Sequence, residues 1–92
     1  MKYLLIYEKI AIKDLENIDK NDARHLYKKI EQLANETSNL DVKQLKSFSK
    51  PTYRLRWGDY RVIYEKHQEK IIIVIVMAGH RKDIYKRLGR AL

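Results

Sequence analysis

Three arginines crowd one short stretch of the chain, YRLRWGDYRVIYE, which runs from Tyr53 to Glu65. Within it the dipeptide Gly58-Asp59, glycine first, predicts a type II′ hairpin turn, so the runs 53–57 and 60–66 are read as paired strands. Registered about that turn, Trp57 faces Tyr60, Arg56 faces Arg61, Leu55 faces Val62, Arg54 faces Ile63 and Tyr53 faces Tyr64. Side chains alternate across a strand. Tyr53, Leu55, Trp57, Tyr60, Val62 and Tyr64 therefore make one apolar face, and Arg54, Arg56 and Arg61 stand together on the other. Like charges directly opposite each other destabilise a strand pair. Folding alone gives no reason to set Arg56 against Arg61, whereas an anion laid across them does. The planar guanidinium fork suits phosphate, which it can bind through two parallel hydrogen bonds. Pairing with Glu65 is the plainer alternative, but a single acid cannot neutralise three arginines.

The next apolar run opens onto Gly79-His80-Arg81-Lys82, followed by Asp83 and Tyr85. Gly79 permits a sharp exit from a sheet. His80 is the histidine nearest the arginines, and an imidazole with its ordinary pKa of roughly 6.5 is suited to acid or base work. His25, among polar helix neighbours, and His67, in a hairpin loop, are read as surface residues. Tyr85 can stack on a base or lend a hydroxyl, and equally can pack beside Ile84. The acids of this half (Asp59, Glu65, Glu69, Asp83) do not cluster as magnesium ligands would, and the three histidines lie far apart. No metal site is expected. There is no glycine-rich phosphate loop and no serine–histidine–acid set, so no cofactor is expected either.

These residues need a scaffold. Tyr3–Tyr7 is strand-like, and Ala11, Leu15 and Ile18 are spaced for one face of a first helix. A second helix carries Ala23, Leu26, Tyr27, Ile30, Leu33 and Ala34 as an apolar stripe and ends near Asn35–Asn39. Both helices are read as cover for a core. Leu40–Thr52 is a lysine-rich connector with Val42, Leu45 and Phe48 as anchors. Ile71–Met77 is apolar at every position, which predicts a strand central in the sheet and buried on both faces. A final helix is expected over Asp83–Leu92, with Ile84, Leu88 and Ala91 inward. The expected fold class is α+β in the order β-α-α-β-β-β-α, an antiparallel sheet packed on the two N-terminal helices, over a single domain 1–92.

Composition narrows the function classes. The chain has 92 residues, no cysteine and a net charge of +8. That excludes disulfides and thiolate chemistry, and it fits a reducing, cytoplasmic setting. The longest apolar run falls far short of the roughly 20 residues of a membrane span, and the N-terminal segment has no signal-peptide pattern. The charge is uneven. Residues 1–46 hold 9 basic and 8 acidic side chains, whereas residues 47–92 hold 11 and 4, including six of the seven arginines (Arg90 among them). Such a distribution points to a polyanionic partner, nucleic acid before membrane.

Taken together, YRLRWGDYRVIYE, the apolar strand and GHRKDIY (79–85) resemble the RelE/ParE superfamily of type II toxins, and its RelE branch in particular. The resemblance implies a microbial-ribonuclease-like fold and an endoribonuclease that cuts mRNA in the ribosomal decoding site. It implies attack of the ribose 2′-hydroxyl on the adjacent phosphate, giving a 2′,3′-cyclic phosphate and a 5′-hydroxyl. Its implied partners are a cognate, RelB-like antitoxin, the ribosome and mRNA, with no membrane. By position, Arg54 and Arg56 match the family's two basic strand residues and Arg61 its phosphate-binding arginine. Arg81 matches the residue near the leaving group, and Tyr85 the tyrosine that stacks on or orients the nucleotide. Lys46, Lys50, Lys82 and Arg87 are expected to bind RNA. Well-known members carry lysines where this chain has Arg54 and Arg56. Arginine does not give up its proton, so those two are expected to be electrostatic stabilisers, and the base is His80, Tyr85 or the ribosome. Two other readings stand beside this one: a ParE-type poison of DNA gyrase, and a degenerate toxin serving only as an antitoxin-bound repressor partner. The antitoxin is expected to lay a helix or extended segment on the domain, with the final helix a candidate for displacement.

Overall fold

The computed structural model describes residues 2–37 and 39–89. Its elements are β1 (Leu4–Tyr7), α1 (Lys9–Glu16), α2 (Lys20–Ala34), β2 (Val42–Leu45), β3 (Thr52–Trp57), β4 (Tyr60–His67), β5 (Ile72–His80) and α3 (Arg81–Leu88). The strands form one sheet in the order β1-β5-β4-β3-β2. The α+β class is as expected, with two differences. The connector holds an extra edge strand, β2, whose four residues bury only Leu45 and so leave no hydrophobic period to read. In addition, β1 pairs with β5 in parallel, so the sheet is mixed.

The hairpin register is the one set by the turn: Arg56 faces Arg61 and Trp57 faces Tyr60. One sheet face packs on α1 and α2. The Asp19 side chain caps α2 by accepting from the Asn21 N–H at 3.2 Å. Its stripe then buries Ala23, Leu26, Ile30, Leu33 and Ala34, while Tyr27 stays exposed at the stripe's edge. Leu26, Ile30 and α1's Leu15 meet Leu55, Val62, Tyr64, Ile73 and Ile75 of the sheet. Each such fully buried aliphatic contributes about 1.5–3 kcal/mol.

The other face carries a smaller cluster, Leu45, Ile63 and Ile84, with Phe48, Val76, Met77 and Leu88 packed on it. A register shift beside Ile63 and Tyr64 makes this possible. Tyr64 pairs with Ile75 and Ile63 with Met77, so Val76 is an extra residue in β5. Val76 and Met77 both turn toward α3 before Ala78 returns to the helix side. β5 is an interior strand, although β4 is the central one. Its Ile73, Ile75 and Ala78 are buried, but Ile72, Val74, Val76 and Met77 are only half-buried, because the eight-residue α3 spans about 12 Å and covers part of that face.

Helix α3 starts two residues earlier than the sequence predicts and stops at Gly89, whose left-handed φ of 70° ends it. The expected continuation through Arg90, Ala91 and Leu92 lies outside the described residues. The loop expected at His67–Lys70 begins one residue later, with His67 in β4, and its last residue is Ile71 at φ 56°. No helix among the described residues is long and apolar enough to cross a membrane.

Candidate functional site

The arginines gather at the turn end of the β3–β4 hairpin. Gly58 adopts φ 57°, the left-handed value that the first position of a II′ turn requires and that a side chain would oppose. Arg61, only 4% exposed, folds back on that turn, and its Nη1 donates to the carbonyls of Gly58 and Tyr60, both at 2.9 Å. Its Nε is buried and makes no hydrogen bond. Arg61 is thus a buried cation held by carbonyl dipoles.

Arg54 and Arg56 share one acid that the sequence reading did not use. Asp41, just before β2, accepts from Arg54 Nη1 through its side-chain Oδ1 at 3.0 Å and through its main-chain carbonyl at 3.2 Å. Arg56 lies beside the other carboxylate oxygen, Nε to Oδ2 3.9 Å, and its main-chain N–H donates to the Asp41 carbonyl at 2.9 Å. The Arg54 side chain is 13% exposed and that of Arg56 53% exposed. The alternative pairing of arginines with Glu65 does not form, because Glu65 accepts instead from His67 Nε2 at 2.9 Å.

The loop after β5 joins the same turn. The Arg81 main-chain N–H donates to the Asp59 carbonyl at 2.7 Å, and Arg81 Nε stands 3.9 Å from Asp59 Oδ1 with the side chain half exposed. Four guanidinium groups therefore surround the hairpin end against two carboxylates, and the local charge is positive. Arg56 and Arg81 are the exposed members, and Arg54 and Arg61 are largely buried.

His80 begins α3 by capping it: its Nδ1 accepts from the Lys82 main-chain N–H at 3.3 Å. In the neutral ring the proton then sits on Nε2, so His80 presents a donor and keeps no free lone pair for base work. The edge of the ring meets Tyr60 at 6.3 Å. Tyr60 in turn donates its hydroxyl to Asp22 Oδ2 at 3.0 Å. Its pKa is raised by burial first, then by that hydrogen bond and by the negative charges of Asp22, Asp19 and Asp59.

Tyr85 lies one helical turn beyond Arg81 and is half-buried. Lys46, Lys50 and Lys82 are exposed. Arg87 goes elsewhere, since its Nη1 donates at 2.9 Å to Asp14 Oδ2 of α1, the same oxygen that accepts the Ala78 N–H at 3.1 Å. It bridges α3 to α1. No group of three or more histidine and acidic side chains among the described residues is placed to hold a metal ion.

The profile of the ParE toxin of type II toxin–antitoxin systems, parDE, matches residues 3–85. The chain belongs to this toxin family. Solved structures place the toxin with the RelE branch of the RelE/ParE superfamily. The RelB–RelE antitoxin–toxin complex from Methanococcus jannaschii matches with a TM-score of 0.74 and 27% identity, covering 89% of this chain and 96% of that one. The archaeal RelE–RelB complex from Pyrococcus horikoshii OT3 gives 0.75 and 29%, covering 88% and 97%. The isolated RelE toxin of E. coli shares the fold at 0.68 and 22%, covering 95% of each chain. No curated protein sequence matches the toxin significantly.

Proposed function

We propose that this toxin is a ribosome-dependent endoribonuclease that cleaves mRNA in the decoding site. The observation that carries the reading is the Arg56–Arg61 cross-strand pair, with Arg81 tied to the same turn and, among the described residues, only Asp41 and Asp59 ion-paired to the four cations. A buried guanidinium with no carboxylate partner is expensive, and an anion seated over Arg61 offsets its charge.

In this reading Arg56 and Arg81 contact the scissile phosphate, while Arg54 and Arg61 set the potential from below. The 2′-oxygen attacks phosphorus, the bond to the 5′-oxygen breaks, and that oxygen leaves protonated. Arginine does not surrender a proton, and the His80 Nδ1 lone pair is engaged by Lys82. His80 therefore serves as a donor through Nε2, next to the site of negative charge. His80 supplies a hydrogen bond and no proton; the 2′ proton passes either to a group of the ribosome, which returns one to the leaving 5′-oxygen, or to the Tyr85 hydroxyl as that hydroxyl hands its own proton to the leaving 5′-oxygen, and Tyr85→Phe separates the two. Lys46, Lys50 and Lys82 are assigned to the RNA flanking the cleaved bond, whereas Arg87, bound to Asp14, supports α3. A cognate antitoxin is the regulatory partner, as RelB is in the archaeal complexes.

Primer extension on cellular mRNA after induced expression tests the proposal. Cuts within translated codons support it, and intact mRNA refutes it. The match to ParE toxins favours one second reading, inhibition of DNA gyrase. Broken DNA with intact mRNA in the same cells selects that reading.

A further inference from the structure

We infer that the outward face of α2 is a docking surface for single-stranded RNA, separate from the arginine site. This rests on the proposed action on RNA, but the binding test below does not use cleavage. Lys20, Arg24 and Lys28 recur every four residues, so they form one stripe with a rise of about 6 Å between members. That spacing is comparable to the separation of successive phosphates along a nucleic-acid strand. All three are exposed, and none has an acidic partner among the described residues.

Four nearby acids are engaged elsewhere, and the exposed Glu31, three residues beyond Lys28, marks the end of the stripe. Asp22 accepts from Tyr60, Asp19 caps the helix, Asp14 holds Arg87, and Glu36 lies 3.8 Å from Lys66. The near-neutral charge count of the first 46 residues therefore conceals a basic helix face.

The second observation is a ladder of flat rings beside the stripe. His25 stacks on Trp57 with centroids 4.9 Å apart and planes 10° apart, and Trp57 stacks on Tyr60 at 6.2 Å and 18°. His25 is the outermost ring and is exposed. Its Nδ1 lies 2.8 Å from the Asn21 carbonyl, which can only accept, so Nδ1 carries the proton and the ring is held in place. A row of cations with an oriented ring alongside is the combination that binds single strands: phosphates follow the charges, and a base stacks on the ring. A lipid surface would ask for a row of apolar residues beside the cations, and here Asn21, His25 and Gln32 flank them on one side and Tyr27 and Glu31 on the other, a single aromatic among polar groups.

The test measures binding of a labelled single-stranded RNA oligonucleotide to the full chain by fluorescence anisotropy across a salt titration. Arg81→Ala is the background, so the probe is not consumed. Adding Lys20→Ala, Arg24→Ala and Lys28→Ala is expected to weaken binding at least about tenfold and to reduce the log–log salt slope by about 2, as loss of three phosphate contacts requires. His25→Ala is expected to cost about fivefold or more, with recovery in His25→Phe, which keeps a flat ring. These positions are exposed and alanine favours helix, so an unchanged melting temperature certifies the fold. Unchanged affinity and slope in the triple variant overturn the inference, including the case in which that variant loses antitoxin binding instead. If mRNA stays intact in cells while α2 still carries oligonucleotide binding, the ribonuclease reading falls and this one stands.

Discussion

The arginines of the hairpin end and the cations of α2 hold positive charge in two different ways. At the hairpin, Asp41 serves Arg54 and Arg56, Asp59 serves Arg81, and the turn carbonyls serve Arg61. Arg54 and Arg61 are held by hydrogen bonds, Arg56 and Arg81 each stand 3.9 Å from a carboxylate, and the group keeps a modest surplus of charge. On α2, Lys20, Arg24 and Lys28 project from a helix whose neighbouring acids are engaged elsewhere. The first arrangement is suited to stabilising charge at one place during a reaction, where preorganised donors count most. The second is suited to holding a strand loosely, where salt-screened attraction is enough. The lesson is that a charge count along the chain does not locate positive potential. The half of the sequence with the larger surplus has its described arginines partnered, in part by acids from the other half.

That contrast can be broken most sharply at Arg81. Under the proposed mechanism Arg81→Ala lowers mRNA cleavage about a hundredfold to a thousandfold, while thermal unfolding changes by less than about 0.5 kcal/mol. Single-turnover cleavage on programmed ribosomes and a melting curve check both halves. Asp41→Ala comes next. It strips the carboxylate from a largely buried Arg54, so a loss of about 1–3 kcal/mol in urea unfolding is expected. RNA affinity should rise in the same variant, because two guanidinium groups lose their counter-charge.

Smaller effects probe the join between the regions. Tyr60→Phe removes the hydroxyl that occupies Asp22 and is expected to cost about 1 kcal/mol. A freed Asp22 carboxylate also sits beside the α2 cations, so oligonucleotide affinity should fall slightly, read by the same anisotropy titration. The smallest signal is alkaline. The Tyr7 pKa is raised to about 12, by burial first and then by the neighbouring Tyr27 and Glu31. A raised pKa means that the folded state favours the neutral phenol. Its stabilisation is complete below the ordinary tyrosine pKa of about 10, and it fades as pH climbs from there through about 12. Urea midpoints across that range should fall less in Tyr7→Phe than in the parent.

Much of this was legible in the residues because it rested on local rules. Gly58-Asp59 fixed the hairpin register, and alternation then assigned both of its faces. Strand β2 was not legible, since four residues with one buried side chain have no period, and its pairing with β3 depends on chain distant in sequence. Asp41 was missed for the same reason: nothing local says that a connector acid will meet Arg54 and Arg56. The presence of Arg61 near the turn was readable. Its burial was not, because a guanidinium hydrogen-bonding to its own turn leaves no mark in composition. His25 read as a surface residue and is one, but its seat on Trp57 comes from packing α2 against the hairpin.

The parallel β1–β5 pairing has a consequence for how the molecule comes into being. Leu4–Tyr7 meets its only sheet neighbour at Ile72–Ile75, and Asp14 waits for Ala78 and Arg87. While the polypeptide is being synthesised, β1 has no strand to pair with until β5, some seventy residues later, has been made. Pairing across so long a stretch of chain is slow, and a product cut short before Ile72 would leave β1 without its strand partner.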